Sequence, residues 1–416
     1  MDTIRIRGGN SLFGETKIQG SKNAVLPVMA AALLIEDVSI IENCPRISDV
    51  FHMQRLLTQI GCKVSRADRT LMIDARHVSK DKMAGESVTG MRSSLMLLGA
   101  MLGRLGEISM AYPGGCVIGK RPIDIHLEAL RKMGVSIWEE EGNFTAKAKN
   151  LKGTVITLPS PSVGATENVI LAAVKAKGVT VLQNAAREPE IIALCRFLQK
   201  AGAAIEGVGS SVILIQGGNP LHGIQFKIPA DRIVAGTYLF SAMGIGGHIF
   251  LKEAPVSQMK EMLKLAVESG ADVTVSQEGL SIIASPPKKG LPYVKTDVYP
   301  GFPTDLQSPL MAALCIAPGE SIIEETIFED RFRMVEELKK MGANIRIDGS
   351  KAVITGVSKL HGCEVFAKDL RGGAGLVIAG GMAEGETIIK NRHFIERGYE
   401  DICRDFQNMG MNIVTE

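Results

Sequence analysis

The residues Tyr112-Pro113-Gly114-Gly115-Cys116-Val117-Ile118-Gly119-Lys120-Arg121-Pro122 hold a cysteine whose surroundings suit chemistry. Three glycines and two prolines in this stretch exclude a regular helix or strand, so it is a shaped loop. Lys120 and Arg121 follow Cys116 by four and five positions. Nearby cations favour a thiolate over a thiol. Two readings stand for Cys116: the small apolar tip of a turn, or a reactive group, and the loop alone names no reaction.

Further candidates lie at the starts of apolar runs. Gly20-Ser21-Lys22-Asn23 precedes Ala24–Leu34. Ser21 is placed to cap a helix there, and Lys22 beside free N–H groups is either a solvated lysine or half of an anion site. Pro161-Ser162-Val163-Gly164-Ala165-Thr166-Glu167-Asn168 also leads into an apolar run, as a plain capped helix or as a close approach for a ligand. Pro300-Gly301-Phe302-Pro303-Thr304-Asp305 is a rigid turn that delivers one carboxylate, a helix cap or a base. Arg92, Arg331, Arg371 and Arg397 complete the set, with glycines next to or near three of them. Each is either a surface ion pair or a group suited to bidentate recognition of carboxylate or phosphate. Taken together, these residues point to a multiply anionic small molecule.

Something must position them, and the sequence contains a repeat. A helical segment ending in glycine, followed by an alternating strand, recurs at Gly61, Gly134, Gly202, Gly270, Gly342 and Gly410. Successive glycines are 73, 68, 68, 72 and 68 residues apart. Each stands where a helix end calls for a left-handed residue. The period suits a small α/β unit, and six such units divide into two lobes of three. Ile228-Pro229-Ala230-Asp231-Arg232 is the expected crossing point. The strand Thr3–Arg7 lacks a helix of its own, and the sixth unit stops at its strand. The first strand is therefore expected to complete the second lobe. This gives lobes of 22–229 and of 1–21 with 230–416, and a cleft between two lobes is a common small-molecule site.

Composition limits the functions open to the chain. The 416 residues exceed one ordinary core. A net charge of +2 gives no reason to expect a nucleic-acid partner. Seven scattered cysteines without a CxxC pair suit a reducing compartment and argue against both disulfides and a zinc site. The start has no apolar signal region, and the longest apolar run, Ala24–Ile35, is too short to span a bilayer. A cytoplasmic protein without a membrane partner is expected.

Several motifs resemble one family over nearly the whole chain. They are Ser21-Lys22-Asn23-Ala24, Pro113-Gly114-Gly115-Cys116, Gly119-Lys120-Arg121-Pro122, Ser162–Asn168, Arg187-Glu188-Pro189-Glu190, Phe302-Pro303-Thr304-Asp305, Asp369-Leu370-Arg371 and Glu396-Arg397-Gly398-Tyr399-Glu400. The family is the UDP-N-acetylglucosamine 1-carboxyvinyltransferases. The sister family acting on shikimate 3-phosphate shares the repeat and lacks the cysteine loop. A non-catalytic paralogue that binds the nucleotide sugar is the other alternative, disfavoured by the intact Lys22, Cys116, Asp305 and Arg397.

The resemblance implies the enolpyruvyl transferase fold: two similar inside-out α/β barrel domains, each of three βαβαββ-like units with buried helices. It implies transfer of the enolpyruvyl group of phosphoenolpyruvate to the 3′-hydroxyl of UDP-N-acetylglucosamine, with release of phosphate and no metal or organic cofactor. No obligate protein partner is inferred. Carried over, Cys116 protonates C3 of phosphoenolpyruvate and is the nucleophile that fosfomycin alkylates, and Asp305 accepts the sugar hydroxyl proton. Lys22, Arg121 and Arg397 hold the phosphate, with Arg92 and Arg371 nearby. Asn23, Ser162, Val163, Gly164, Asp305 and Ile327 contact the nucleotide sugar, with Pro122 and Asp124 at the uracil. Asp231 and Asp369 match acidic positions of the closed site, and Glu329 and Arg331 belong to the same expected set. Three positions depart from the family's usual motifs: Asp330 and Met334 stand where Asn and His are usual, and Gly372 where Ala is usual.

Overall fold

The computed structural model describes residues 2–78, 92–111, 123–140 and 143–416. The loop carrying Cys116, Lys120, Arg121 and Pro122 lies outside the described residues.

Among the described residues, six helices are apolar on nearly every face: Lys22–Ala32, Met96–Leu105, Val163–Ala173, Arg232–Ile245, Gln307–Leu314 and Leu370–Met382. A helix without a polar stripe has no side to offer water, so it must sit inside. Arg232–Ile245 is buried at all of its positions, and Leu370–Met382 at all but the last. The other helices described are shorter or amphipathic: Ser48–Ile60, Asp124–Lys132, Pro189–Lys200, Lys260–Glu268, Val335–Lys340 and Ile402–Asn408. Just past these helices stand the six repeat glycines, each with φ between 85° and 110°, the left-handed turn expected at a helix end.

Each repeat carries a small sheet. Among the described residues, five sheets have four strands and one has three. In the sheet Gln225–Lys227, Val38–Glu42, Thr70–Asp74, Lys63–Ala67, a short parallel strand precedes an antiparallel set. Alternation along the strands buries one face only, as in Val212–Gln216. Helices inside and sheets outside make the inside-out α/β arrangement.

The chain divides into two compact units, each with its own core. One contains residues 2–19 and 230–416, and the other the described residues from 20 to 229. At the crossing, Asp231 N donates to Gln19 O in the first, and Ser21 N donates to Pro229 O in the second. The division therefore falls between Gln19 and Gly20, two residues before position 22. Thr3–Arg7 sits inside a sheet, antiparallel to both Glu386–Lys390 and Asn412–Thr415. It occupies the place that the second hairpin strand takes in the other sheets.

Close helix approach depends on small residues. A β-carbon on Gly99 would stand 2.3 Å from Asn168 O, so Met96–Leu105 and Val163–Ala173 pack backbone to backbone there. Among the described residues no helix is long and apolar enough to cross a membrane.

Candidate active site

The starts of the buried helices gather the chemistry-bearing side chains. In the unit from 20 to 229, Ser21 caps Lys22–Ala32, its Oγ accepting from Ala24 N at 3.3 Å. Lys22 thus stands at the first helical position, where a cation opposes the helix dipole. Asp49, in the first turn of Ser48–Ile60, balances it: Lys22 Nζ lies 2.7 Å from Asp49 Oδ2. Asn23 donates weakly to Glu190 Oε1 at 3.5 Å. Ser162 repeats the capping geometry on Val163–Ala173, accepting from Ala165 N. One turn on, Asn168 Oδ1 takes Gly99 N, and its Nδ2 meets Gly164 O and His126 Nδ1. Asp124 is exposed at the start of the His126 helix. Arg92 opens the turn Arg92–Leu95, and its side chain lies outside the described residues.

Glu167 is the least expected member of this group. It is 1% exposed, and neither oxygen has a hydrogen-bond partner among the described residues. Burial, reinforced by the charges of Glu190 and Glu188, pushes its carboxyl well above the ordinary range. This burial favours the neutral acid over the carboxylate. A folded-state value raised above the unfolded one adds stability that is present at low pH and is lost as pH climbs from the unfolded value toward the folded one. Glu167→Gln mimics the neutral acid. Wild type and variant should melt together near pH 5, and the variant should gain by up to about 1.4 kcal/mol per pH unit above that. Parallel melting curves from pH 5 to pH 8 would show that the carboxyl is not held neutral.

The unit of 2–19 and 230–416 holds a denser charge group. Asp305 lies in the turn Thr304–Leu306 ahead of Gln307–Leu314, and it does not cap that helix. Arg331 pairs with Asp305 Oδ1, and Arg371 Nη2 lies 2.9 Å from Oδ2. Both arginine side chains are 4% exposed against 26% for Asp305. The surface-pair reading of these two arginines is thus replaced by a buried clamp on one carboxylate. Arg331 also donates Nε to Thr304 O and lies over the Phe328 ring. Arg371 lies over the Tyr399 ring, whose hydroxyl is 2.7 Å from Thr237 Oγ1. Burial works against the charge on Arg371, but Asp305, Tyr399 and Asp231 outweigh it and raise its proton affinity above the ordinary value. Arg371 Nη1 has no hydrogen-bond partner among the described residues.

Asp231 and Asp369 are both helix caps. Asp231 Oδ1 accepts from Ile233 N and Val234 N, and Asp369 Oδ1 from Arg371 N and Gly372 N. Ile327 and Glu329 are exposed on the segment after Glu320–Glu324. Glu325 anchors that segment, accepting from Ile327 N, Phe328 N and Thr304 Oγ1. Arg397 is half-buried at the end of the turn Arg392–Arg397. Gln19 secures the backbone just beyond Arg397, donating to Gly398 O and accepting from Glu400 N. Asp330, one of the motif departures, pairs with Arg333. Among the described residues no three His, Cys, Asp or Glu side chains are grouped to hold a metal.

Six inside-out units with polar groups gathered at helix N-termini define the enolpyruvyl transferase class. The family model for EPSP synthase (3-phosphoshikimate 1-carboxyvinyltransferase) matches residues 6–406. The solved enolpyruvyl transferase NikO from Streptomyces tendae superposes with a TM-score of 0.86 at 24% identity, covering 99% of this chain and 98% of that one. EPSP synthase from Acinetobacter baumannii gives 0.74 at 19% identity, covering 100% and 99%. Relatives in sequence are closer. "UDP-N-acetylglucosamine 1-carboxyvinyltransferase 2" of Caldanaerobacter subterraneus subsp. tengcongensis is 44% identical over 100% of this chain and 99% of its own length. The Granulibacter bethesdensis UDP-N-acetylglucosamine 1-carboxyvinyltransferase is 42% identical over 99% of each. The chain belongs to this family of enzymes, the UDP-N-acetylglucosamine 1-carboxyvinyltransferases within the EPSP synthase group.

Proposed function

We propose that the chain transfers the enolpyruvyl group of phosphoenolpyruvate to the 3′-hydroxyl of UDP-N-acetylglucosamine, the first committed step of peptidoglycan synthesis. The observation that carries this reading is Asp305 between two buried arginines, one with an N–H still unfilled among the described residues. A carboxylate whose two oxygens are each fixed by a guanidinium is oriented as a base. Arginines buried beside it can stabilise a polyanion.

In the first half-reaction the sugar oxygen bonds to C2, Asp305 takes the hydroxyl proton and the Cys116 thiol gives its proton to C3. In the second, C3 gives a proton back to the Cys116 thiolate, the C2–O bond to phosphate breaks to restore the double bond, and the Asp305 proton leaves with the phosphate. Lys22, Arg121 and Arg397 hold the phosphate, with Arg92 and Arg371 nearby. Asn23, Ser162, Val163, Gly164 and Ile327 meet the nucleotide sugar, with Pro122 and Asp124 at the uracil. Glu329, Arg331, Asp231 and Asp369 support these contacts. The described cysteines are free thiols, which suits a reducing cytoplasm.

Phosphate release should require phosphoenolpyruvate together with UDP-N-acetylglucosamine, and shikimate 3-phosphate should not replace the sugar. Release with shikimate 3-phosphate alone as acceptor would overturn the assignment. Lys22→Ala and Arg397→Ala should each lower kcat/KM for phosphoenolpyruvate roughly ten- to a hundredfold, the loss of a charge-assisted bond. Nucleotide-sugar binding, read by calorimetry, should change far less. Equal losses toward both substrates would assign these residues to the fold.

A further inference from the structure

Met334 directly precedes the short helix Val335–Lys340 and is 2% exposed. Its side chain lies across the opening turns of Leu370–Met382, at Gly372 and Gly375. A β-carbon on Gly372 would stand 3.3 Å from Met334 Cβ and 2.9 Å from Asp369 Oδ2. One on Gly375 would stand 2.7 Å from Met334 Cε, 3.1 Å from its Sδ and 3.0 Å from Ser308 O. Glycine is a poor residue inside a helix, and neither position has the positive φ that would explain it. Both positions supply room, and Met334 fills it.

This contact adjoins the charge group. Asp369 Oδ1 caps Arg371 N and Gly372 N, while its Oδ2 faces the Gly372 position. Arg371 stands between the cap and the groove, and its guanidinium reaches Asp305 Oδ2. The helix start therefore has two supports, a capping carboxylate and a methionine wedged against two glycines.

We infer that Met334, seated on Gly372 and Gly375, is a positioning residue for the reaction: it fixes the first turn of Leu370–Met382 and so the hold of Arg371 on Asp305. The inference rests on the proposed role of Asp305 as proton acceptor. Met334 acts through the placement of Arg371 and not by touching the reacting atoms.

Three variants of the full chain test it. Met334→Ala empties the groove, Gly372→Ala overfills it, and Met334→Leu keeps its volume. The readouts are kcat per folded enzyme, KM for both substrates, and the side-chain ¹⁵N–¹H resonance of Arg371. Met334→Ala and Gly372→Ala should each lower kcat about tenfold, leave both KM values within about twofold, and shift the Arg371 resonance. Met334→Leu should keep wild-type kcat and resonance. If Met334→Ala and Gly372→Ala lower only the melting temperature, with kcat and resonance unchanged, the inference is overturned. Where one of these two does not fold, the other decides. If wild type releases no phosphate from the two substrates, the proposed activity falls, and the Arg371 resonance still decides whether the contact positions that side chain.

Discussion

Cys116→Ser should lose nearly all turnover, because a serine hydroxyl is far too weak an acid to protonate a carbon near neutral pH. Cys116→Asp should keep more activity, since a carboxylic acid can donate. With ordinary values of about 3.9 for aspartate and about 8.5 for cysteine, its rate should favour lower pH than wild type. A carboxylate is also a poorer nucleophile than a thiolate, so the aspartate variant should resist covalent modification by fosfomycin. A pH–rate profile and intact mass after fosfomycin treatment check both roles in wild type and the two variants. Wild-type turnover by Cys116→Ser, or labelling at another cysteine, would remove Cys116 from the centre of the reaction.

Asp305→Ala is the other large effect expected, and it acts on stability as well as rate. The substitution leaves Arg331 and Arg371, each 4% exposed, facing one another without their shared carboxylate. Breaking a buried ion pair from one side costs about 3–5 kcal/mol, and the partial exposure of Asp305 sets the loss toward the lower end. Asp305→Asn keeps an acceptor for one arginine, so its melting temperature should fall less. Its rate should still collapse, because an amide cannot take the hydroxyl proton. Thermal unfolding separates the two variants, and kcat unites them. An asparagine variant within a few-fold of wild-type rate would show that Asp305 holds the arginines and is not the base.

Much of the fold was legible because a few positions have only one physical solution. The six repeat glycines mark helix ends that demand positive φ, and all six adopt it. Runs such as Arg232–Ile245, apolar around the whole helix, had nowhere to go but inside. The capping roles of Ser21 and Ser162 came from the serine standing just before each run.

Contacts made across long stretches of chain were not legible. Asp305 and Arg371 are 66 residues apart, and the spacing of neither predicted their pairing. The turn Thr304–Leu306 turns Asp305 away from the capping role that its place before a helix suggests. Asp49 reads as an ordinary first-turn acid, and only packing sets it against Lys22. Glu167 sits in a motif read as a capped helix or a ligand approach, and nothing in that local pattern reveals its complete burial or the charges of Glu188 and Glu190 beside it.

The place of Thr3–Arg7 has a consequence for how the polypeptide is made. The strand is made well before its partners Glu386–Lys390 and Asn412–Thr415. Residues 20–229 contain every strand of their own described sheets and can fold as they are synthesised. Ile4 and Ile6, fully buried in the finished sheet, must stay unpaired until those partners have been made. An unpaired apolar strand is a template for aggregation. Its shortness, and the arginines at positions 5 and 7 alternating with the isoleucines, oppose such pairing.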